Sequence, residues 1–179
     1  MNLSPRGRAQ ARRLATFLRT RKIDAIYASP MKRVQQTLSP FLKTGAPPPT
    51  IMRGLREVDF GDWTGLNWEV VCKTFNLLTH EWLDHIERGV APNGESGTEL
   101  RARIEPCLCK IIQRHPGQNT AIFCHGGVAR VILSILLKMP LPKTNIFEVE
   151  YASVTQIALR PKHTEIELLN FTPWRDLAE

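Results

Sequence analysis

The run Thr120-Ala121-Ile122-Phe123-Cys124 constrains the fold more than any other part of this sequence. It passes through His125-Gly126-Gly127 into Val128 to Lys138, a stretch that is apolar nearly all round. A short apolar run feeding a helix with no polar face predicts a strand and a helix that are both buried. Burying both requires a sheet covered by helices. A second unit repeats the order: Ile23 to Ala28 reads as a strand, and Ser29-Pro30 is a helix-start signal before a helix from Met31.

The flanking segments fit the same class. Ser4 followed by Pro5 is an N-cap with proline at the first helical position, and Ala11, Leu14, Ala15 and Leu18 form one apolar stripe. The Pro/Gly-rich stretch Thr44 to Thr50 reads as a loop, and Leu55 to Gly61 mixes polar and apolar residues before Trp63-Thr64-Gly65. Helical patterns follow around Trp68 to Phe75 and Thr79 to Ile86. Ser96 and Glu99 form a capping box that opens a helix with the stripe Leu100, Ile104, Leu108, Ile111 and Ile112. Pro116-Gly117 closes it, and Pro106 is expected to bend it. Ala152 to Leu159 and Thr164 to Leu169 are strand candidates joined by a turn at Arg160 to His163. The alternation predicts an α/β three-layer sandwich, a mostly parallel central sheet flanked by helices, and 179 residues suffice for a single domain, 1–179.

Charge and composition narrow the partners. The formal net charge is +7, yet residues 1–22 hold seven basic residues and no acid, so the remaining 17 basic residues meet 17 acidic ones. With only Phe17 among these cations the stretch lacks the aromatic interleaving of a nucleic-acid arm, and it reads as the solvated face of a helix. It also imitates a mitochondrial transit peptide, against which stands its continuation into a globular helix. No apolar run approaches the roughly 18 residues of a membrane span, and no signal-peptide core is visible. We expect a cytoplasmic protein that binds neither membrane nor nucleic acid. Cys72, Cys107, Cys109 and Cys124 have neither a disulfide framework nor zinc spacing and read as reduced thiols, with no metal site.

Two strand-to-helix turns, at Ser29-Pro30 and at His125-Gly126-Gly127, point toward an anion, because helix N-termini present backbone N–H groups and a favourable dipole. In a parallel sheet both turns lie at the C-terminal strand edge, where ligands bind. Arg33 stands one turn into its helix, and a guanidinium beside an imidazole suits phosphate. Taken singly, Arg33 and Glu57 read as surface residues and His125 as a satisfied core histidine.

The order of neighbours says more. Leu3-Ser4-Pro5-Arg6-Gly7-Arg8-Ala9-Gln10-Ala11, Tyr27-Ala28-Ser29-Pro30-Met31-Lys32-Arg33-Val34-Gln35-Gln36-Thr37 and Leu55-Arg56-Glu57-Val58-Asp59-Phe60-Gly61-Asp62-Trp63-Thr64-Gly65 resemble three successive blocks of the histidine phosphatase superfamily, the phosphoglycerate-mutase-like proteins. Pro92-Asn93-Gly94-Glu95-Ser96 and Cys124-His125-Gly126-Gly127-Val128-Ala129-Arg130 resemble two more. The resemblance implies phosphoryl transfer without a cofactor. Arg33 would bind the transferred group, with the Gly126 N–H as a further donor. Glu57 would protonate the leaving group, and His125 would stabilise the phosphoryl transition state. Glu57 must then be protonated, so burial has to oppose the pull of Arg33 and His125 on its charge. The short Gly94-Glu95-Ser96 loop resembles the compact phosphatase branch of the family.

One departure stands out. The family's nucleophile is the histidine of an Arg-His-Gly motif at the end of a first strand, upstream of the block that begins here at Leu3. The five histidines are His80, His85, His115, His125 and His163. Arg114-His115 is followed by Pro116 at a helix end, His80 and His85 lie on a polar helical stretch, and His163 lies in a turn. We expect an N-terminally truncated domain with its first strand missing, impaired as a phosphomonoester hydrolase of small phosphorylated metabolites. The alternative is a pseudoenzyme that binds a phosphorylated ligand or partner. A gap in the sheet would favour a homo-oligomer that fills it with a segment of a second chain.

Overall fold

A computed structural model describes residues 1–75 and 81–177. Three parallel strands, β1 (Ala25–Ala28), β2 (Pro49–Ile51) and β3 (Thr120–Phe123), form a sheet in the order β2-β1-β3. Side chains alternate across a strand, so the central strand feeds two cores. Ile26 and Ala28 point into a cluster with Leu14 and Leu18 of α1 (Pro5–Leu18) and Val34 and Leu38 of α2 (Lys32–Leu42). Tyr27 joins the opposite cluster, with Ile104 and Leu108 of α5 (Gly97–Arg114) and Val131 of α6 (Gly126–Leu136). The result is the helix–sheet–helix sandwich that the alternation of elements predicts. Two shorter helices, α3 (Trp68–Phe75) and α4 (Trp82–Glu87), cover the second cluster, and no helix among the described residues is long and apolar enough to cross a membrane.

Two of the caps are those written in the sequence. The Ser4 hydroxyl accepts from the Gly7 N–H at 3.1 Å, and at the start of α5 the Ser96 hydroxyl accepts from the Glu99 N–H while the Glu99 carboxylate accepts from the Ser96 N–H. Helix α5 runs through Pro106. Five expectations are corrected. Pro49–Ile51, assigned to a loop by its prolines, is an edge strand, where proline is tolerated at the first position. Ser29 is not a helix cap: α2 starts from Met31, and the Ser29 hydroxyl turns to His125. Ile112 lies on the exposed side of its helix. The helix expected over Thr79 to Ile86 is placed at Trp82–Glu87, with residues 79 and 80 outside the described residues. His85 is buried rather than solvated, edge-on to Trp63.

The tail forms an antiparallel hairpin, β4 (Val154–Leu159) and β5 (Thr164–Phe171), which is a separate two-stranded sheet. Val154, Leu168 and Phe171 pack on the same cluster as Ala121 and Phe123, and the hairpin is not paired to β3. Among the described residues β3 is hydrogen-bonded along one edge only, and its four residues are half-buried, whereas Ile26, Tyr27 and Ala28 of β1 are buried. An open apolar edge recruits other strands. We expect sedimentation of residues 1–179 at rising micromolar concentration to show reversible self-association, accompanied by low thermal stability. A highly stable monomer with one cooperative transition would contradict this.

Candidate active site

The two strand-to-helix turns lie side by side because β1 and β3 pair in register, Ala28 opposite Phe123, and the Ser29 N–H continues the ladder to the Phe123 carbonyl at 2.9 Å. From this shared level α2 and α6 start in parallel. Arg33, in the first turn of α2, directs its Nε to His125 Nδ1 at 3.2 Å. The other ring nitrogen, Nε2, lies 2.8 Å from the buried Ser29 hydroxyl. Arginine only donates, so Nδ1 must offer its lone pair and Nε2 carries the hydrogen. Burial, then the charges of Arg33 and Arg103, push the His125 ring down to about 4, so it is neutral at pH 7.

Glu57 follows the tight turn Arg53–Leu55, and its own N–H faces the Met31 sulfur at 3.4 Å. Its Oε1 accepts from the Val58 N–H at 3.0 Å, and the carboxyl also faces the N–H groups of Gly127 and Val128 at the start of α6. Burial raises its pKa, while the Val58 N–H, the Arg33 charge and the α6 N–H groups oppose the rise; burial wins. The competition between burial and charge is thus decided in favour of a carboxyl that holds its proton more tightly than an ordinary glutamate. Gly127 is needed for this approach, since a Cβ there would lie 2.4 Å from Val58 Cγ2 and 2.8 Å from Glu57 Oε1. At Gly126 the same construction meets open space. Gly126 and Glu57 line a cleft of about 520 Å³ with Phe60, Trp82, Arg130 and Tyr151. The Cys124 thiol is pushed up to about 12 by loss of solvation and by nearby Glu57, which disfavours its thiolate.

The structure therefore brings Arg33, Glu57, His125 and Gly126 together at one sheet edge. Of the other histidines, His115 is placed at the end of α5, 2.8 Å from the Tyr27 hydroxyl, His163 is exposed beside Glu165, and His85 is in the core under α4. His80 lies outside the described residues. Ser29, expected in the anion-directed turn, contributes its hydroxyl to the His125 ring, and two residues with no role expected from the sequence, the pair Arg103 and Glu95, lie beneath the Glu57 loop. An arginine that bonds mainly to backbone carbonyls leaves no sequence pattern.

Comparison with known proteins places the chain. Residues 1–172 match the histidine phosphatase superfamily (branch 1). Phosphoserine phosphatase 1 of Hydrogenobacter thermophilus is 28% identical over 171 residues, covering 96% of this chain and 81% of the relative. The adenosylcobalamin/alpha-ribazole phosphatase of Salmonella typhimurium is 27% identical over 175 residues, covering 94% and 83%. Among solved structures, the alpha-ribazole phosphatase of Shigella flexneri superposes with a TM-score of 0.80 at 26% identity, covering 94% of this chain and 83% of that one. The mycobacterial glucosyl-3-phosphoglycerate phosphatase bound to inorganic phosphate gives 0.85 at 22% identity, covering 97% and 89%, a likeness of fold.

The depressed His125 ring has a stability consequence. Between its ordinary value of 6.5 and about 4 the unfolded chain takes up a proton that the folded chain refuses. The contribution of the neutral ring is therefore complete above pH 6.5 and is lost as the pH falls toward 4. We expect urea denaturation at pH 7 and pH 4 to show a larger acid loss for the native sequence than for His125→Asn, by on the order of 3 kcal/mol. Equal losses would mean that the ring is not buried in its neutral form.

Proposed function

The chain belongs to the histidine phosphatase superfamily (branch 1), and from that premise we propose that it binds the phosphoryl group of a small phosphorylated metabolite in the pocket of Arg33, His125 and the Gly126 N–H, with Glu57 as the proton donor to the leaving alcohol. The observation that carries the reading is the 3.2 Å approach of Arg33 to His125 beside a half-buried carboxyl of raised pKa. A phosphate dianion entering at the α6 N-terminus gains the Arg33 guanidinium and a free backbone N–H, and it draws a proton onto the His125 ring, whose imidazolium it then stabilises. Phosphoryl transfer asks mainly for charge compensation and positioning, which this cluster supplies. When a nucleophile, water or an imidazole, forms its bond to phosphorus and the ester P–O bond breaks, the departing oxygen takes its proton from the Glu57 carboxyl.

We further propose that residues 1–179 by themselves turn over phosphomonoesters slowly. In the family the phosphoryl group passes to a histidine. Among the described residues the imidazole at the start of α6 is that of His125, and its two nitrogens face Arg33 and Ser29. The same observation favours the second reading, a binder of phosphorylated ligands without turnover. The relatives are named for phosphoserine and α-ribazole phosphate, which are the esters to try first.

Purified residues 1–179 are expected to hydrolyse p-nitrophenyl phosphate at or near background. Orthophosphate binding, measured by calorimetry, is expected to weaken tenfold or more in Arg33→Met, about 1.4 kcal/mol for the loss of a charge-assisted pair. Rapid turnover that vanishes in His125→Ala, with phosphohistidine trapped at that position, would overturn the impaired reading. Phosphate binding indifferent to Arg33 would overturn the site.

A further inference from the structure

The guanidinium of Arg103 lies beneath the loop that carries Glu57, and every one of its N–H groups is engaged. Nε donates to Glu95 Oε1 at 2.6 Å and Nη2 to Glu95 Oε2 at 2.7 Å, a bidentate pair. Nη1 donates to the carbonyls of Gly54 at 2.7 Å and Arg56 at 2.9 Å, and Nη2 to that of Glu57 at 3.1 Å. An arginine has five N–H donors and no acceptor, so Arg103 has none to spare for a substrate. Glu95 in turn takes the Asp59 N–H at 2.9 Å and Arg56 Nη2 at 2.9 Å, while its own N–H returns to the Asp59 carbonyl at 2.8 Å. Both charged side chains are only 13% exposed. The loop can come this close to α5 because residue 54 is glycine, where a Cβ would lie 2.4 Å from Cys107 Sγ and 2.6 Å from the Arg103 carbonyl.

We infer that Arg103, held by Glu95, is a positioning residue: it fixes the backbone from Gly54 to Glu57 and thereby holds the Glu57 carboxyl against the start of α6. The inference rests on the reading of Glu57 as the proton donor. Arg103 acts through backbone carbonyls, and its charge is answered by Glu95, so its effect on Glu57 is geometric. Without the clamp the loop is free to swing the carboxyl toward the open cleft, where water would restore an ordinary acidity. A lysine cannot substitute, because an ammonium has three donors and no planar fork to span Glu95 and three carbonyls at once. The arrangement assigns a purpose to the Gly94-Glu95-Ser96 segment beyond its turn.

The test is a carboxyl-carbon NMR titration of Glu57 in residues 1–179, with Glu57→Gln to identify the signal. The other groups that face this carboxyl are Arg33 from α2, His125 and the Gly127 and Val128 N–H groups from α6, and Cys124 at the end of β3. All of them are left untouched in two variants, Arg103→Lys and the charge-neutral pair Arg103→Met/Glu95→Gln. In the native sequence Glu57 should titrate above 4.5, and in both variants its midpoint should fall back toward that value, furthest in the double variant. A midpoint that stays raised in a variant whose circular dichroism is native would overturn the positioning role. Should the double variant not fold, Arg103→Lys, which keeps the charge and loses the fork, decides alone. A native Glu57 that already titrates at 4.5 would instead overturn the proton-donor reading and the inference with it.

Discussion

The hydrogen bond from the Ser29 N–H to the Phe123 carbonyl, 2.9 Å long, carries the parallel pairing of β1 and β3 one step past the end of β1. That step is what sets the starts of α2 and α6 at one level. It brings the Ser29 hydroxyl under His125 Nε2, and it leaves Arg33, one turn along α2, within reach of Nδ1. A register shift of one residue would turn every side chain of the strand to the other face. Tyr27 would then exchange clusters with Ile26 and Ala28, and both cores would be lost together with the site. The pocket is thus fixed by the same contacts that hold the sandwich.

Burial acts on the pocket's two titratable groups in opposite chemical senses. It raises the pKa of the Glu57 carboxyl and lowers that of the His125 ring, to about 4. Before a ligand arrives, Arg33 supplies the formal charge at the α6 N-terminus, and the neighbouring Arg103 is neutralised by Glu95. Such a site suits an incoming anion, because it holds positive charge and oriented N–H groups at the start of α6, while Glu148 and Glu150 also line the cleft and act against that charge. Groups whose surroundings separate their acidities are the usual mark of a division between acid and base roles.

Much of this was legible in the sequence, and the failures have physical causes. Ser4-Pro5, the Ser96–Glu99 box and the apolar run into α6 are local signals, and each produced the expected element. The convergence of Arg33, Glu57 and His125 was readable only through the blocks that surround them, since each residue alone fits a surface or core role. Strand β2 escaped because three residues with a leading proline carry no alternation, and its partner β1 decides its structure. His85 escaped because a histidine on a polar-looking helix gives no sign that Trp63 will cover it. Arg103 and Glu95 pair across eight residues and spend their remaining bonds on backbone atoms, which every sequence supplies equally.

The central claim is that one anion site is built where β1 and β3 end. A crystal structure of residues 1–179 soaked in tungstate measures it directly, since the ion mimics phosphate and its anomalous signal locates it without bias. The account predicts a single strong peak between the Arg33 guanidinium, the His125 ring and the Gly126 N–H, bordered by the Glu57 carboxyl. An ion bound only on the basic face of α1, with Arg33 and His125 free of it, would contradict the account.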